Sequence, residues 1–455
     1  MFVDQFYIDC LSQASYLVGD ETSRQAVLID PRRDIAEFVD AAADRGVTIV
    51  GVVNTHFHAD FVAGHLELRD ALGTWIAYGS AAETDYPIRR LADGETIRLG
   101  GLTLTALHTP GHTWESISLV AGDADTPVAV FTGDCLFVGD IGRPDLAAAV
   151  GADPIELAHA QFRSVQQVLG SLADDLVVYP AHGAGSSCGK NISTDLQSTI
   201  GGERVTNWAF LEQDETRFVD QLLSGQPAVP AYFGIDAMLN RQVRPVQVAP
   251  PRPRKLTATE ALDRRDDGAH IIDTRDPEVF ARSHLTGAIN IGLDGRLAET
   301  AGMIFTPEHQ LIIIAPDQRQ DEAALRLGRI GLDAVVGYLD DQEAEAELPD
   351  LVTSTHRIDA TEFDRARSAT APVIVDVRNS GELAAGVIPG SVHIPLAELP
   401  QRLAEIPADQ PVIVHCGSGW RSSVASSLIA ADGHDAVTDL RGGYQAWHGH
   451  SRPRA

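Results

Sequence analysis

The sequence predicts a multidomain α/β protein, and three observations carry that prediction. A chain of 455 residues is long for a single core. Short β-branched runs alternate with helical stretches along its length. The C-terminal part contains one strand–turn–helix pattern twice. Hydrophobic residues make up 44% and charged residues 22%, which fits folded domains and argues against disorder.

Composition excludes several function classes. Against 64 acidic residues there are 35 basic ones, a net charge of −29. That balance repels phosphate backbones and anionic lipid, so neither nucleic acid nor a membrane is an expected partner. A small anionic substrate would need local positive charge. Residues 1–20 lack a basic segment leading into an apolar core, so no secretory signal is expected. No apolar run is long enough for a transmembrane helix. The four cysteines, Cys10, Cys135, Cys188 and Cys416, are too few for a disulfide scaffold and read as free thiols. A cytoplasmic location is the expectation.

Residues 1–240 carry histidines grouped at the ends of strand-like runs and form the first expected domain. Residues 241–255 (RQVRPVQVAPPRPRK) are rich in Pro and Arg and predict an extended linker. The acidic stretch 340–350 marks a second break, giving units 256–350 and 351–455. These two units repeat one another. An Asp-x-Arg closes an apolar strand in both, and Arg275 stands as far from Gly287 as Arg378 does from Gly390. Each therefore reads as a small α/β domain with a mainly parallel sheet.

In the first unit, four strand-like runs end in groups able to bind metal. IVGVVNT leads to His56, His58 and Asp60; LTLTAL to His108 and His112; VAVFTG to Asp134; LVVYPA to His182. Residues just past the ends of neighbouring strands collect at one sheet edge, so distant segments can share one ion. Imidazole and carboxylate suit zinc or iron.

In order and spacing these motifs resemble the metallo-β-lactamase superfamily, which implies an αββα sandwich with its site at one edge of the sheets. The departure is Phe61. Binuclear hydrolases of that superfamily, hydroxyacylglutathione hydrolases included, place a metal-binding His there. Phenylalanine ligates nothing, so a two-metal mechanism with a bridging hydroxide is not expected.

The pattern is most similar to the persulfide dioxygenases. That resemblance implies one iron(II) per chain held by His56, His112 and Asp134, with open positions for O₂ and a substrate thiolate. His58, Asp60 and His182 would then orient ligands and hold waters; with zinc as the metal, His58 would ligate too. Arg143, in the loop after Asp134, can supply the positive charge that an anionic thiol needs, or can serve a structural salt bridge. Cys188 is a candidate pocket thiol, whereas Cys135 is expected to point into the core.

In the third unit VIVHCGSGWRSS reads as strand, Cys416, the turn Gly417-Ser418-Gly419-Trp420, then a helix beginning near Arg421. Loop amides and a helix N-terminus favour a thiolate, and Arg421 adds fixed charge. The Cys-x4-Arg ring is one residue shorter than a phosphatase loop, which favours sulfur over phosphate chemistry. With Asp376-x-Arg378, Ile388-Pro389-Gly390-Ser391 and Leu440-Arg441-Gly442-Gly443-x-x-x-Trp447, this unit resembles a rhodanese domain. Counting back one hundred positions puts Pro316 opposite Cys416 and Asp321 opposite Arg421, so the second unit resembles a pseudo-rhodanese without a catalytic thiol.

Together the parts resemble persulfide dioxygenase–rhodanese fusions. The resemblance implies oxidation of a low-molecular-weight thiol persulfide by O₂ to the sulfite level, with Cys416 exchanging sulfane sulfur with sulfite, thiosulfate or a thiol. It also implies a homo-oligomer, dimer or tetramer. A zinc thioester hydrolase joined to a sulfurtransferase is the alternative.

Overall fold

The computed structural model describes residues 1–123, 126–146, 151–226, 228–247 and 249–451; Val248 of the expected linker and the last four residues of the expected third domain lie outside them. The chain divides into two compact units. The first comprises Met1–Gln226, Tyr232–Pro250 and Arg329–Gly331, and the rest forms the second.

The first unit stacks two six-stranded sheets. One runs, edge to edge in chain order, through Phe2–Ile8, Gln13–Asp20, Gln25–Ile29, Thr48–Val53, Trp75–Gly79 and Arg89–Leu91. The other runs through Ser198–Thr199, Val177–Pro180, Pro127–Gly133, Ile117–Gly122, Leu102–His108 and Thr96–Leu99. Alternation explains the stacking. Tyr16, Val18, Val27, Ile29 and Val53 from one sheet meet Leu104, Ala106, Leu119, Ala121 and Phe131 from the other in one buried cluster. The opposite faces are covered by helices: Phe38 of Ala36–Arg45 packs outside the first sheet. Ala158 of Pro154–Arg163 and Phe218 of Glu215–Leu223 pack outside the second. Asp153 caps Pro154–Arg163 by accepting from the Ile155 and Glu156 amides, and Pro154 fits the first turn. The result is the αββα sandwich.

The segment expected to be a linker is tied down in its first half. The Arg241 guanidinium lies 4.5 Å from the centre of the Phe57 ring, and Arg244 makes two bonds to the buried Glu67 carboxylate, 2.6 and 2.8 Å. A carboxylate buried at that depth requires such a partner, which is why the first unit extends to Pro250.

The second unit contains two parallel sheets. The four-stranded one orders Ile289–Asn290, His270–Asp273, Leu311–Ile314 and Val335–Leu339. The five-stranded one orders His356–Ile358, Val437–Leu440, Val412–His415, Val373–Asp376 and Val392–His393. Short parallel strands connected by helices are what both halves of the repeat predict. The halves pack as one unit because the helix Arg421–Ala431 docks on Ile289–Asn290: the Asn290 amide donates to Ser427 Oγ (2.9 Å) and Ser423 Oγ to Asn290 Oδ1 (2.8 Å).

Strand pairing corrects the comparison of the halves by one residue. Asp376 pairs with His415, and Asp273 with Ile314. The residue following each pair is Cys416 in one half and Ala315 in the other, so Ala315, not Pro316, occupies the thiol position. By the same register Gln320, the first residue of Gln320–Gly328, matches Arg421, displacing Asp321 from that role. The second unit's first half still has no thiol in its loop.

Among the described residues, no helix is long and apolar enough to cross a membrane.

Candidate functional site

The metal cluster forms where strand ends of both sheets meet. Thr48–Val53 delivers His56 and His58, Leu102–His108 runs on to His112, Pro127–Gly133 to Asp134, and Val177–Pro180 to His182. Among the described residues, three overlapping groups have ligand atoms within 4.8 Å of one another: His56, His112 and Asp134; His58, Asp60 and His182; and Asp134, His182 and Cys188. All are buried. His108 lies apart, its Nε2 bonded to the Leu91 carbonyl.

Three imidazoles are held by Nδ1, which leaves Nε2 facing inward. His56 Nδ1 bonds Thr55 Oγ1 (2.9 Å), His112 Nδ1 the Arg143 carbonyl (2.8 Å) and His182 Nδ1 the Ser12 carbonyl (3.1 Å). A carbonyl can only accept, so the His112 and His182 bonds fix the tautomer whose Nε2 carries a lone pair. Asp134 Oδ2 stands 3.5 Å from His112 Nε2 and 3.8 Å from His56 Nε2, and Oδ1 stands 3.5 Å from His182 Nε2. Among the described residues neither Asp134 oxygen receives an N–H or O–H donor, and His56 Nε2, His182 Nε2 and Asp60 Oδ1 are likewise unbonded. Buried carboxylate and imidazole atoms aimed at one point need a cation to offset their desolvation. The donor set fits a transition metal.

Electrostatics favour the ligand form at His56. Burial, with His58, His112 and His182 nearby, holds His56 well below the usual imidazole range, so the ring is neutral. Burial would lower His182 as well, but the Asp60 and Asp134 carboxylates outweigh it and raise the ring. Burial, reinforced by the same two carboxylates, keeps the Cys188 thiol protonated, far above its ordinary value. Cys135 packs in the core behind the second sheet, pushed up to about 12 by burial.

Three supporting residues carried no signal in the sequence. Asp30 accepts from the Thr55 amide (2.6 Å) and hydroxyl (2.8 Å), and its Oδ1 lies 2.9 Å from His58 Nε2. His58 is thereby turned toward Asp30, while Phe61 covers its ring at 4.3 Å between centroids. Asn240 bonds the His58 and Phe61 carbonyls and the Ala63 amide, all at 2.8 Å, and so fixes the loop carrying the ligands. Gly142 is needed for close approach: a Cβ there would lie 2.1 Å from the Asp134 carbonyl. Arg143 is buried and gripped by Asp145, with a longer bond to the Ser187 carbonyl (3.4 Å). Its backbone serves the site through His112.

In the second unit Cys416 follows Val412–His415 and precedes Arg421–Ala431, fully buried. The Gly419 amide donates to its Sγ (3.1 Å), and Ser422 Oγ lies 3.7 Å away. Gly419 has φ of +94°, a conformation only glycine adopts freely. The Tyr444 and Gln445 amides donate to the Cys416 and Gly417 carbonyls (2.7 and 3.1 Å), which explains the Gly-Gly motif: a Cβ on Gly443 would sit 2.4 Å from the Cys416 carbonyl. Arg421 lines the loop, but its guanidinium is paired on both prongs with Glu382 (2.6 and 2.7 Å). That partner was not visible in the sequence, being 39 positions away.

The metallo-beta-lactamase superfamily model matches residues 8–182, and the rhodanese-like domain model matches 257–340 and 359–450. The chain is 34% identical over 172 residues to the mitochondrial persulfide dioxygenase of Homo sapiens, a match covering 37% of this chain and 63% of that one. It is 32% identical over 187 residues to a probable hydroxyacylglutathione hydrolase of Schizosaccharomyces pombe, covering 40% and 69%. A solved structure described as a metallo-beta-lactamase from Staphylococcus aureus superposes with a TM-score of 0.68 at 33% identity, covering 75% of this chain and 99% of that one.

Proposed function

The chain belongs to the metallo-beta-lactamase superfamily over its first unit and continues into two rhodanese-like domains, and from that premise we propose that it oxidises thiol persulfides with O₂ and transfers sulfane sulfur on Cys416. The observation that carries the oxygenase half is the buried Asp134 carboxylate between His56 and His112, which receives no N–H or O–H donor among the described residues, together with Phe61 on the His56–His58 loop, where a binuclear site would need a histidine. His56, His112 and Asp134 would hold one iron(II), which supplies electron transfer to O₂ and a binding position for a sulfur anion. His58, Asp60 and His182 orient that set and offer proton acceptors.

The net reaction is RSSH + O₂ + H₂O → RSH + sulfite + 2 H⁺: the outer sulfur loses four electrons and O₂ gains them. In the second unit the Cys416 thiolate attacks the outer sulfur of thiosulfate or a persulfide. An S–S bond forms to Cys416, the donor's S–S bond breaks, and sulfite or thiolate departs with the bonding pair. The Gly419 amide and the start of the helix Arg421–Ala431 stabilise the charge on the bound sulfur.

Anaerobic reconstitution with iron(II), followed by O₂ uptake with glutathione persulfide or coenzyme A persulfide, tests the first half. Uptake with sulfite formation is expected at one iron per chain. Rapid cleavage of a glutathione thioester by the zinc form, with no O₂ uptake by the iron form, would replace this reading with a hydrolase.

A further inference from the structure

We propose that the thiol-less half of the second unit positions the Cys416 loop, with Glu278 as the positioning residue and Gly292 and Gly295 as the seat for Trp420. The inference rests on the sulfur-transfer reading and deepens it. Arg357 links the halves. Its Nη1 bonds Glu278 Oε1 (2.8 Å), its Nε and Nη2 bond the Asp439 carboxylate (3.1 and 3.0 Å), and Nη2 also bonds the Gly419 carbonyl (2.9 Å). Gly419 is therefore held on both sides, its carbonyl by Arg357 and its amide by Cys416 Sγ. Asp439 in turn accepts from Ser422 Oγ (3.3 Å), the hydroxyl beside the thiol. Glu278 also binds Arg441, next to the Gly442-Gly443 pair that backs the loop (2.9 and 3.1 Å).

A second observation points the same way. A Cβ on Gly295 would lie 2.2 Å from the Trp420 ring, and one on Gly292 would lie 2.7 Å from it. No side chain fits at either position while the loop keeps its place. Both glycines belong to the half whose own loop carries Ala315. Stability does not explain the Glu278 contacts: Glu278 is 43% exposed and Arg441 50%, a setting where ion pairs contribute little. Arg357, at 8%, is the buried member that transmits them.

The test compares Glu278→Gln and Gly295→Ala with the full-length wild type. Thiosulfate-dependent transfer to glutathione gives kcat and KM, and iodoacetamide labelling of the Cys416 peptide across pH gives the midpoint of thiol reactivity. Both variants should lose about five- to tenfold in kcat with KM for thiosulfate retained. The labelling midpoint should move upward, since a loosened Gly419 amide stabilises the thiolate less. Thermal unfolding of Glu278→Gln, isosteric and half-exposed, should match wild type, so that variant decides the matter if Gly295→Ala does not fold. Wild-type kcat with a wild-type midpoint in Glu278→Gln overturns the inference, and so does a lower kcat with an unmoved midpoint. If the wild type itself moves no sulfur, the sulfur-transfer reading fails, while the labelling midpoint still judges the positioning.

Discussion

In both halves of the second unit an aspartate closes a buried strand and grips the arginine two residues on. Asp376 takes Arg378 Nε and Nη2 (2.9 and 2.6 Å), and Asp273 takes Arg275 in the same way (3.0 and 2.6 Å). Each arginine then bonds a carbonyl eight residues further on, Gly386 or Ser283. The halves part company at the loop. Cys416, Arg421 and Glu382 in one correspond to Ala315, Gln320 and Val279 in the other. Residues that hold the fold are present twice, while those that serve a thiol are present once, and the Arg421–Glu382 pair is lost as a unit. An arginine or glutamate kept alone beside that loop would be an uncompensated, half-buried charge.

The largest expected effect tests the thiol itself. Cys416→Ser should reduce thiosulfate-dependent transfer by about a thousandfold or more, with iron content unchanged. Ala315→Cys in that background should restore nothing, because Gln320 stands at the Arg421 position, the loop's own Arg319 is taken by Glu322 and Asp294, and Gln318 stands at the Gly419 position with φ of +61°. Transfer by Ala315→Cys would break the comparison, since the loop chemistry would then reside in the cysteine alone.

Next comes the pair. Arg421→Gln should lower kcat/KM for thiosulfate by about ten- to a hundredfold, because it removes a cation and frees the Glu382 carboxylate to repel the donor. Adding Glu382→Gln should recover part of the loss and reproduce the uncharged pair of positions, Gln320 and Val279, of the other half. A double variant no better than the single one would mean that Glu382 serves only to hold Arg421 in place.

These contrasts also show what the sequence makes legible. The metal cluster could be read because its members sit at strand ends, where alternating apolar runs stop abruptly, and topology brings such ends together. Asp30 and Asn240 escaped because each acts on another residue's backbone or second nitrogen, a relation that leaves no spacing pattern. The one-residue error at Ala315 has a definite cause. The halves are offset by 103 positions at their first Asp (376 against 273) and by 101 at the next strand (412 against 311). A count along the chain cannot see where the loops differ, whereas hydrogen-bond register can. The docking of one half on the other through Asn290 and Ser423 lay beyond any single-segment pattern.

The shared clamp makes the third prediction. Arg378→Ala and Arg275→Ala should each destabilise the second unit by about 3 kcal/mol in denaturant unfolding, since each strands a buried carboxylate. Equal losses support a common structural role; a much smaller loss in one half would show that the other's clamp also serves its loop.

The smallest effect lies where the two clamps differ. Arg275 has an additional carboxylate, Glu345, bonded to Nη1 at 3.0 Å and to Ser283 Oγ at 2.7 Å, whereas Arg378 Nη1 meets only the Glu382 carbonyl at 3.3 Å. Arg378 gains instead from Tyr444, whose ring centre lies 4.2 Å from the guanidinium carbon. The aromatic contact ties one clamp to the segment behind Cys416, and the acidic contact ties the other to the helix Asp341–Glu347. Because Glu345 is 27% exposed, Glu345→Gln should cost less than about 1 kcal/mol, and less still in high salt. Tyr444→Leu should cost more than that and also slow sulfur transfer, since the Tyr444 hydroxyl bonds the Ala385 carbonyl (3.0 Å) and so anchors the residue whose amide donates to the Cys416 carbonyl (2.7 Å). If Glu345→Gln proves the costlier change, the acidic helix is a structural member of the clamp, and the two halves differ in how they are built as well as in what they can do.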